Sequence, residues 1–305
     1  MSYTLKKIVA SVQSVVEERK TLRQGASVRD RVAMVCGSSE APSTGDAEAK
    51  FQQLLSRAKP LPEYGYDALS TWRRGCERAL QLSRGVPDFD SVKVALEVAC
   101  GDGMASVALS SHGIQTVLTD LKDWRDPRAQ RLSFTAVDTD GVEPLPGDAV
   151  DLVFSYNAFE HFGNPARALK KMLAVTRPGG YLFFEFGPLY AGPWGLHAYR
   201  MIPIPYMQFL FSEPFWREKL RATGVRDLGQ DLTELQPLNR WSVRQFDQLW
   251  RTCGAEVVSS QRFTVERELE IVTQFPTSFQ GRGLTYEDLT TQAVQVLLRK
   301  PLAAH

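Results

Sequence analysis

The sequence predicts an α/β fold, a parallel sheet covered by helices on both faces. Three observations carry that prediction. From Val92 onward, short apolar runs alternate with helical patterns. The first run ends in a small-residue turn, Ala99-Cys100-Gly101-Asp102-Gly103, after which the pattern becomes helical through Ala105, Ala108 and Leu109. Polar residues then recur where successive runs end, at Asp120, Asp138 and Asn157. Strands alternating with helices bury both faces of a parallel sheet.

The chain before that texture is different. Leu5, Ile8, Val9, Val12, Val15 and Val16 have helical spacing within residues 4–20. A Gly/Ser/Pro-rich segment at 37–46 reads as a mobile loop. Two further helical patterns cover about 47–58 and 67–84, separated by Pro60 and Pro62. Residues 1–90 are therefore expected to form a helical cap or arm, ahead of an α/β domain over 91–305.

Within that domain, strands are expected at Val92–Ala99, Gln115–Thr119, Phe134–Val137, Val150–Phe154 and Tyr181–Phe186. A helix near 165–176 stops at Arg177-Pro178-Gly179-Gly180. From 188 to about 222 an aromatic-rich insertion with poor periodicity follows, containing Trp194, Tyr199, Tyr206, Phe209, Phe211, Phe215 and Trp216. It is expected to form a packed substructure or a dimer contact, with a roof over the acceptor pocket as the alternative. A helix over Ser242–Cys253 ends at Gly254, and two more strands are expected near 255–263 and 293–299.

Composition narrows the function. A net charge of +1 over 305 residues, with no basic run, gives no electrostatic reason to expect nucleic acid. The four cysteines are scattered without metal-ligand spacing and read as reduced thiols of a cytoplasmic protein. Met201 to Phe211 is the most apolar stretch, but Pro203 and Pro205 interrupt it and it is far short of the ~20 residues a membrane span needs.

A strand, a glycine turn and a helix start bring backbone N–H groups close to a nucleotide-like ligand. Gly101 and Gly103 permit an approach that a Cβ would obstruct. In a doubly wound sheet the ligand lies beyond the carboxyl ends of the strands. Glu97 lies just inside the turn, and Asp120, Asp138 and Asn157 follow at consecutive strand ends. A carboxylate ending strand two suits a ribose, because it accepts from both neighbouring hydroxyls. Each residue taken singly also suits a helix cap or a turn; four in this arrangement point to a site.

Over about 92–186 the sequence resembles the class I S-adenosylmethionine-dependent methyltransferases, in particular the small-molecule group called type 11. Leu96-Glu97-Val98-Ala99-Cys100-Gly101-Asp102-Gly103 matches the first motif of that family, with Ala99 in place of its first glycine. Thr119-Asp120-Leu121 is similar to the ribose-binding second motif, with Leu121 against the adenine, and Asp138-Thr139 matches the position that reads the adenine amino group. Asp151 to Phe162 matches the strand-four motif with its trailing Glu160-His161, and Leu173 to Leu182 the helix–Pro-Gly-Gly–strand junction.

The resemblance implies a Rossmann-like seven-stranded, mostly parallel sheet whose last strand is inserted antiparallel. It also implies S-adenosylmethionine as cofactor and S-adenosylhomocysteine as product. The cofactor contacts it implies are Glu97, Ala99, Gly101, Gly103, Asp120, Leu121, Asp138, Thr139 and Asn157. A nicotinamide-dinucleotide domain is the main rival, but the third glycine of its fingerprint would be Ser106 here.

A sulfonium methyl is already activated, so the protein has mainly to align an acceptor. A hydroxyl acceptor also needs a base. Of the four histidines, His305 is terminal and His112 precedes strand two on the side away from the site. His161 and His197 remain as candidate bases, each also compatible with a purely structural role. Tyr190, Trp194, Tyr199 and Arg200 are candidates to hold the acceptor. Asn157, Glu160 and His161 on one turn make a poor cation set, so no metal is expected. The expected activity is methyl transfer to a hydroxyl of a small molecule, either a natural product or a sugar or glycan precursor. Nitrogen or carbon methylation, a non-catalytic cofactor-binding module and an oxidoreductase are the alternatives; a homodimer is left open.

Overall fold

In the computed structural model the described residues are 28–38, 46–61, 65–227 and 230–302. The periodic segment at 4–20, most of the 37–46 loop, and His305 lie outside them.

In chain order, α1 (28–37), α2 (Ala47–Arg57) and α3 (Ala68–Gly85) precede β1 (Val94–Val98) and α4 (Met104–Ser111). There follow β2 (Gln115–Asp120), β3 (Ser133–Ala136), β4 (Val150–Tyr156), α5 (Pro165–Val175) and β5 (Thr176–Phe186). The insertion holds α6 (Met207–Leu210), α7 (Glu213–Thr223) and a hairpin of β6 (Val225–Asp227) and β7 (Gln230–Leu232). The chain continues through α8 (Val243–Thr252), β8 (Glu256–Thr264), α9 (Leu269–Gln274), α10 (Tyr286–Thr290) and β9 (Thr291–Arg299).

Seven strands form one sheet in the order β3-β2-β1-β4-β5-β9-β8. The pairs β1–β2, β2–β3, β1–β4 and β4–β5 are parallel, and β9 runs antiparallel to both β5 and β8. The strand order reverses between β1 and β4, which opens a crevice beyond their carboxyl ends. This is the expected Rossmann-like sheet with its antiparallel last strand.

The period-two pattern of the strands sorts the core onto two faces. Leu152, Phe154, Tyr156, Tyr181 and Phe183 pack with Leu82 of α3 and Leu109 of α4. Val153, Leu182, Phe184 and Phe186 pack with Leu169 and Met172 of α5 and with Phe246 and Trp250 of α8. Caps start these helices where the sequence supplies them. Asp67 accepts from the N–H groups of Leu69 and Ser70, Asn164 precedes Pro165, and Ser242 forms a capping box with Gln245. A Cβ on Gly75 would lie 2.5 Å from the Met104 carbonyl oxygen, so this glycine lets α3 press directly against the start of α4.

One expectation is corrected. β5 begins at Thr176, so Arg177-Pro178-Gly179-Gly180 lies inside the strand, and a register shift falls opposite it between Val150 and Leu152. The insertion, despite its poor periodicity, holds an apolar cluster. Ile202, Ile204, Tyr206, Phe209, Phe211 and Trp216 are buried there, in a cluster with Val32 of α1 and Phe51 of α2. Helical turns that are apolar on most sides lack the amphipathic stripe that periodicity detects. Among the described residues, no helix is long and apolar enough to cross a membrane.

Candidate active site

The turn after β1 is built on three left-handed residues: Ala99 at φ 55°, Gly101 at φ 53° and Gly103 at φ 68°. Its backbone is tied to β2, because the Cys100 N–H donates to the Thr119 carbonyl at 2.9 Å. Asp120 completes the anchor. One carboxylate oxygen accepts the Gly101 N–H at 2.9 Å and the other accepts the Leu121 N–H at 2.7 Å. Burial pushes the Asp120 carboxyl upward, and those two N–H donors oppose the shift. Asp102 begins α4 by accepting from the Met104 N–H and holds the Arg74 guanidinium at 2.8 Å.

A cavity of about 630 Å³ opens over this turn. Beyond β1 and β2, its walls include Ala99, Gly101, Asp120 and Leu121. Asp138, Thr139 and Asn157 line it at the ends of β3 and β4. Beyond β4 and β5 it reaches His161, His197, Tyr199 and Arg200. The crevice thus joins most of the residues that the sequence singled out.

Four of those residues lie elsewhere. Glu97 is buried beneath the turn, where it accepts from the Ser106 hydroxyl at 2.6 Å and the Ser106 N–H at 3.3 Å. Burial pushes its carboxyl up to about 7. Gly103 faces inward, and a Cβ there would lie 2.7 Å from Leu118 Cδ2. Tyr190 packs edge-on against Phe209, with Arg240 over its ring. Trp194 is buried against Tyr199. The last two turn into the apolar interior of the insertion, because that is where their ring area is removed from water.

The far wall is built around two histidines. The Nδ1 of His161 lies 2.8 Å from the Pro237 carbonyl oxygen, and the Nε2 of His197 lies 2.8 Å from that of Pro188. A carbonyl only accepts, so both of these nitrogens carry hydrogen. In each neutral ring the other nitrogen then holds the lone pair. The rings stand 5.0 Å apart and nearly perpendicular. Glu160 accepts the Gly187 N–H at 3.0 Å, with its carboxylate 4.0 Å from His161 Nε2. The one-turn set Asn157, Glu160 and His161 is thus replaced by another grouping. Glu160, His161 and His197 each bring a ligand atom within 4.8 Å of the other two.

Sequence reasoning missed the contribution of the arm. Tyr66, Arg74 and Arg78 also line the cavity. Arg74 and Arg78 are four residues apart and share a face of α3, but nothing in that spacing says what the face meets.

Residues 96–184 match a family model described as a methyltransferase domain. An uncharacterized methyltransferase of Mycobacterium leprae is 30% identical over 158 residues, covering 48% of this chain and 56% of its own. A ubiquinone biosynthesis O-methyltransferase of Coxiella burnetii is 30% identical over 103 residues, covering 30% of this chain and 43% of its own. The chain spans about half the length of the curated relatives it matches. A crystal structure of an S-adenosylmethionine-dependent methyltransferase from Methanosarcina mazei is similar at 17% identity and a TM-score of 0.45, covering 71% of this chain and 98% of the other. With the strand order, the glycine turn and the matched model in agreement, residues 96–184 are a methyltransferase domain of the class I, S-adenosylmethionine-dependent kind.

Proposed function

We propose that this cavity binds S-adenosylmethionine along the 99–103 turn and Asp120 and directs its methyl group to a hydroxyl oxygen of a small molecule, a natural product or a sugar or glycan precursor. The observation that carries this reading is the single cavity running from the Gly101–Asp120 anchor to the two histidines. The residues fit the cofactor. A Cβ on Gly101 would meet no atom within 4 Å, so the glycine leaves a cradle beside the turn. Asp120 lines the cavity as a carboxylate, the acceptor type that hydroxyl recognition requires. Leu121 is 65% exposed and offers an apolar face for a planar ring.

The cofactor supplies an activated sulfonium methyl. The protein must exclude water, align the acceptor and remove its proton. His161 Nε2 and His197 Nδ1 are the lone-pair nitrogens, so either ring serves as the base, with a backbone carbonyl fixing its tautomer. Arg200 meets the Tyr66 hydroxyl at 3.2 Å, and with Tyr199 it provides polar groups for the acceptor. Transfer to oxygen is supported by the relative that carries an O-methyltransferase name. The test is methyl transfer from labelled S-adenosylmethionine into a metabolite or glycan extract, followed by mass spectrometry of the product. An O-methylated small molecule is expected; label on nitrogen or carbon would overturn the oxygen assignment, and cofactor binding without transfer would indicate a non-catalytic module.

A further inference from the structure

We propose that Glu160, His161 and His197 form a binding site for one divalent transition-metal ion, of the zinc or cobalt class, on the acceptor side of the cavity. The three donors come from two parts of the chain: the turn after β4 supplies Glu160 and His161, and the loop after β5 supplies His197. One ligand atom from each lies within 4.8 Å of the others, and all three residues line the cavity.

The surroundings of each donor match what metal ligands require. A ligating imidazole is oriented by a hydrogen bond from its other nitrogen, commonly to a backbone carbonyl. Pro237 provides that carbonyl for His161 and Pro188 provides it for His197. Glu160 is buried, with one oxygen held by the Gly187 N–H. Two imidazoles and one carboxylate favour zinc, cobalt, nickel or iron over magnesium and calcium, which prefer oxygen alone. In a tetrahedral site with bonds of ~2.0 Å, ligand atoms sit roughly 3.3 Å apart. The donor atoms, within 4.8 Å of one another and 4.0 Å apart for Glu160 and His161, therefore have to close by no more than about 1.5 Å, within reach of side-chain rotation. Three protein ligands leave a fourth position open to the cavity, the pattern of a catalytic rather than a structural site.

The ion would also join the insertion to the strand-four turn, because His197 belongs to the insertion. This inference rests on the methyl-transfer reading only for what fills the fourth position. On that reading the acceptor hydroxyl takes it and becomes more acidic. Its O–H bond breaks and the proton leaves to water. The oxygen electron pair forms the new bond to the methyl carbon, and the pair of the broken methyl–sulfur bond stays on sulfur. With the ion bound, the two imidazoles act as ligands rather than as the base.

The test is titration of the chelator-treated full chain with cobalt(II), followed by visible absorption, with zinc(II) as competitor. A saturable band at one ion per chain, displaced by zinc, is expected. His161→Ala, His197→Ala and Glu160→Gln should each weaken cobalt binding by at least about 100-fold, the upper effect of removing even an orienting partner. His112→Ala should leave it unchanged. Melting curves identify any variant that fails to fold, and His197→Gln, which keeps most of the side-chain volume, then replaces His197→Ala. A folded chain with no band, or a band that keeps wild-type affinity in a folded His197 variant, would overturn the site. A cobalt band without methyl transfer upholds the site and removes the proposed function. Full methyl transfer by a chelated chain that shows no band does the reverse.

Discussion

Asp120 and Gly101 hold each other in place: the carboxylate accepts the Gly101 N–H at 2.9 Å across the mouth of the cavity. One side chain thus sets both the shape of the glycine turn and the polar wall beside it. The two glycines of the turn consequently have different jobs, which substitution should separate.

Gly101→Ala adds a methyl group that meets no protein atom, at the cost of left-handed strain of about 1–2 kcal/mol. The methyl stands in the cradle, so S-adenosylmethionine affinity should fall at least about tenfold, or ~1.4 kcal/mol. Gly103→Ala instead places a Cβ 2.7 Å from Leu118 Cδ2 and 3.1 Å from Ala129 Cβ, both in fully buried residues. It should lose about 2–4 kcal/mol of stability from strain and overpacking together. Urea melts and calorimetric binding on both variants check the contrast; equal stability losses would contradict it.

Ala99 occupies the first glycine position of the motif and sits at φ 55°, a conformation costly for alanine. Ala99→Gly should therefore leave stability unchanged or raise it by up to about 1 kcal/mol, the strain relief being partly offset by the greater freedom of glycine in the unfolded chain. A loss greater than about 1 kcal/mol in a urea melt would show that the Ala99 methyl group contributes packing that outweighs its strain.

Glu97 gives a pH-dependent prediction. Its carboxyl is raised from 4.5 to about 7 by burial. A raised carboxyl contributes stability that is fully present below about 4.5 and is lost as pH rises through about 7. Glu97→Gln removes that titration and can still accept from Ser106. Relative to the wild type it should gain stability between pH 5 and 8, by up to about 3 kcal/mol. Melting temperatures measured across that range check this, and a difference independent of pH would contradict it.

Much of this arrangement is legible in the sequence, for physical reasons. The alternation of Leu152, Phe154 and Tyr156 with Val153 identifies a strand buried on both faces, and the polar residues at the strand ends mark the crevice. What is not legible depends on contacts between distant segments. Nothing near Arg74 or Arg78 indicates that α3 would border the cavity, and no spacing rule brings His197 to Glu160 across an intervening strand. Tyr190 and Trp194 have the composition of an acceptor wall, but the same apolar area is equally satisfied inside the insertion. The position of Glu97 near the end of β1 follows from the sequence, yet the direction of its side chain depends on Ser106 nine residues on.

The acceptor side predicts a loss of rate rather than of cofactor binding. If one imidazole removes the acceptor proton, His161→Ala or His197→Ala should lower turnover by about 10²–10⁴-fold with S-adenosylmethionine affinity nearly unchanged. Turnover near wild type in both single variants would exclude either ring as the base.

The central claim, that S-adenosylmethionine occupies the crevice held by Asp120, is tested most directly by calorimetric titration of the wild type and Asp120→Ala. The wild type should bind S-adenosylmethionine with one ligand per chain. The variant should lose about 1.5–3 kcal/mol, or roughly 10- to 150-fold in affinity, because hydrogen bonds to a charged group are removed. No binding by the folded wild type, or equal affinity in the two proteins, would contradict the account.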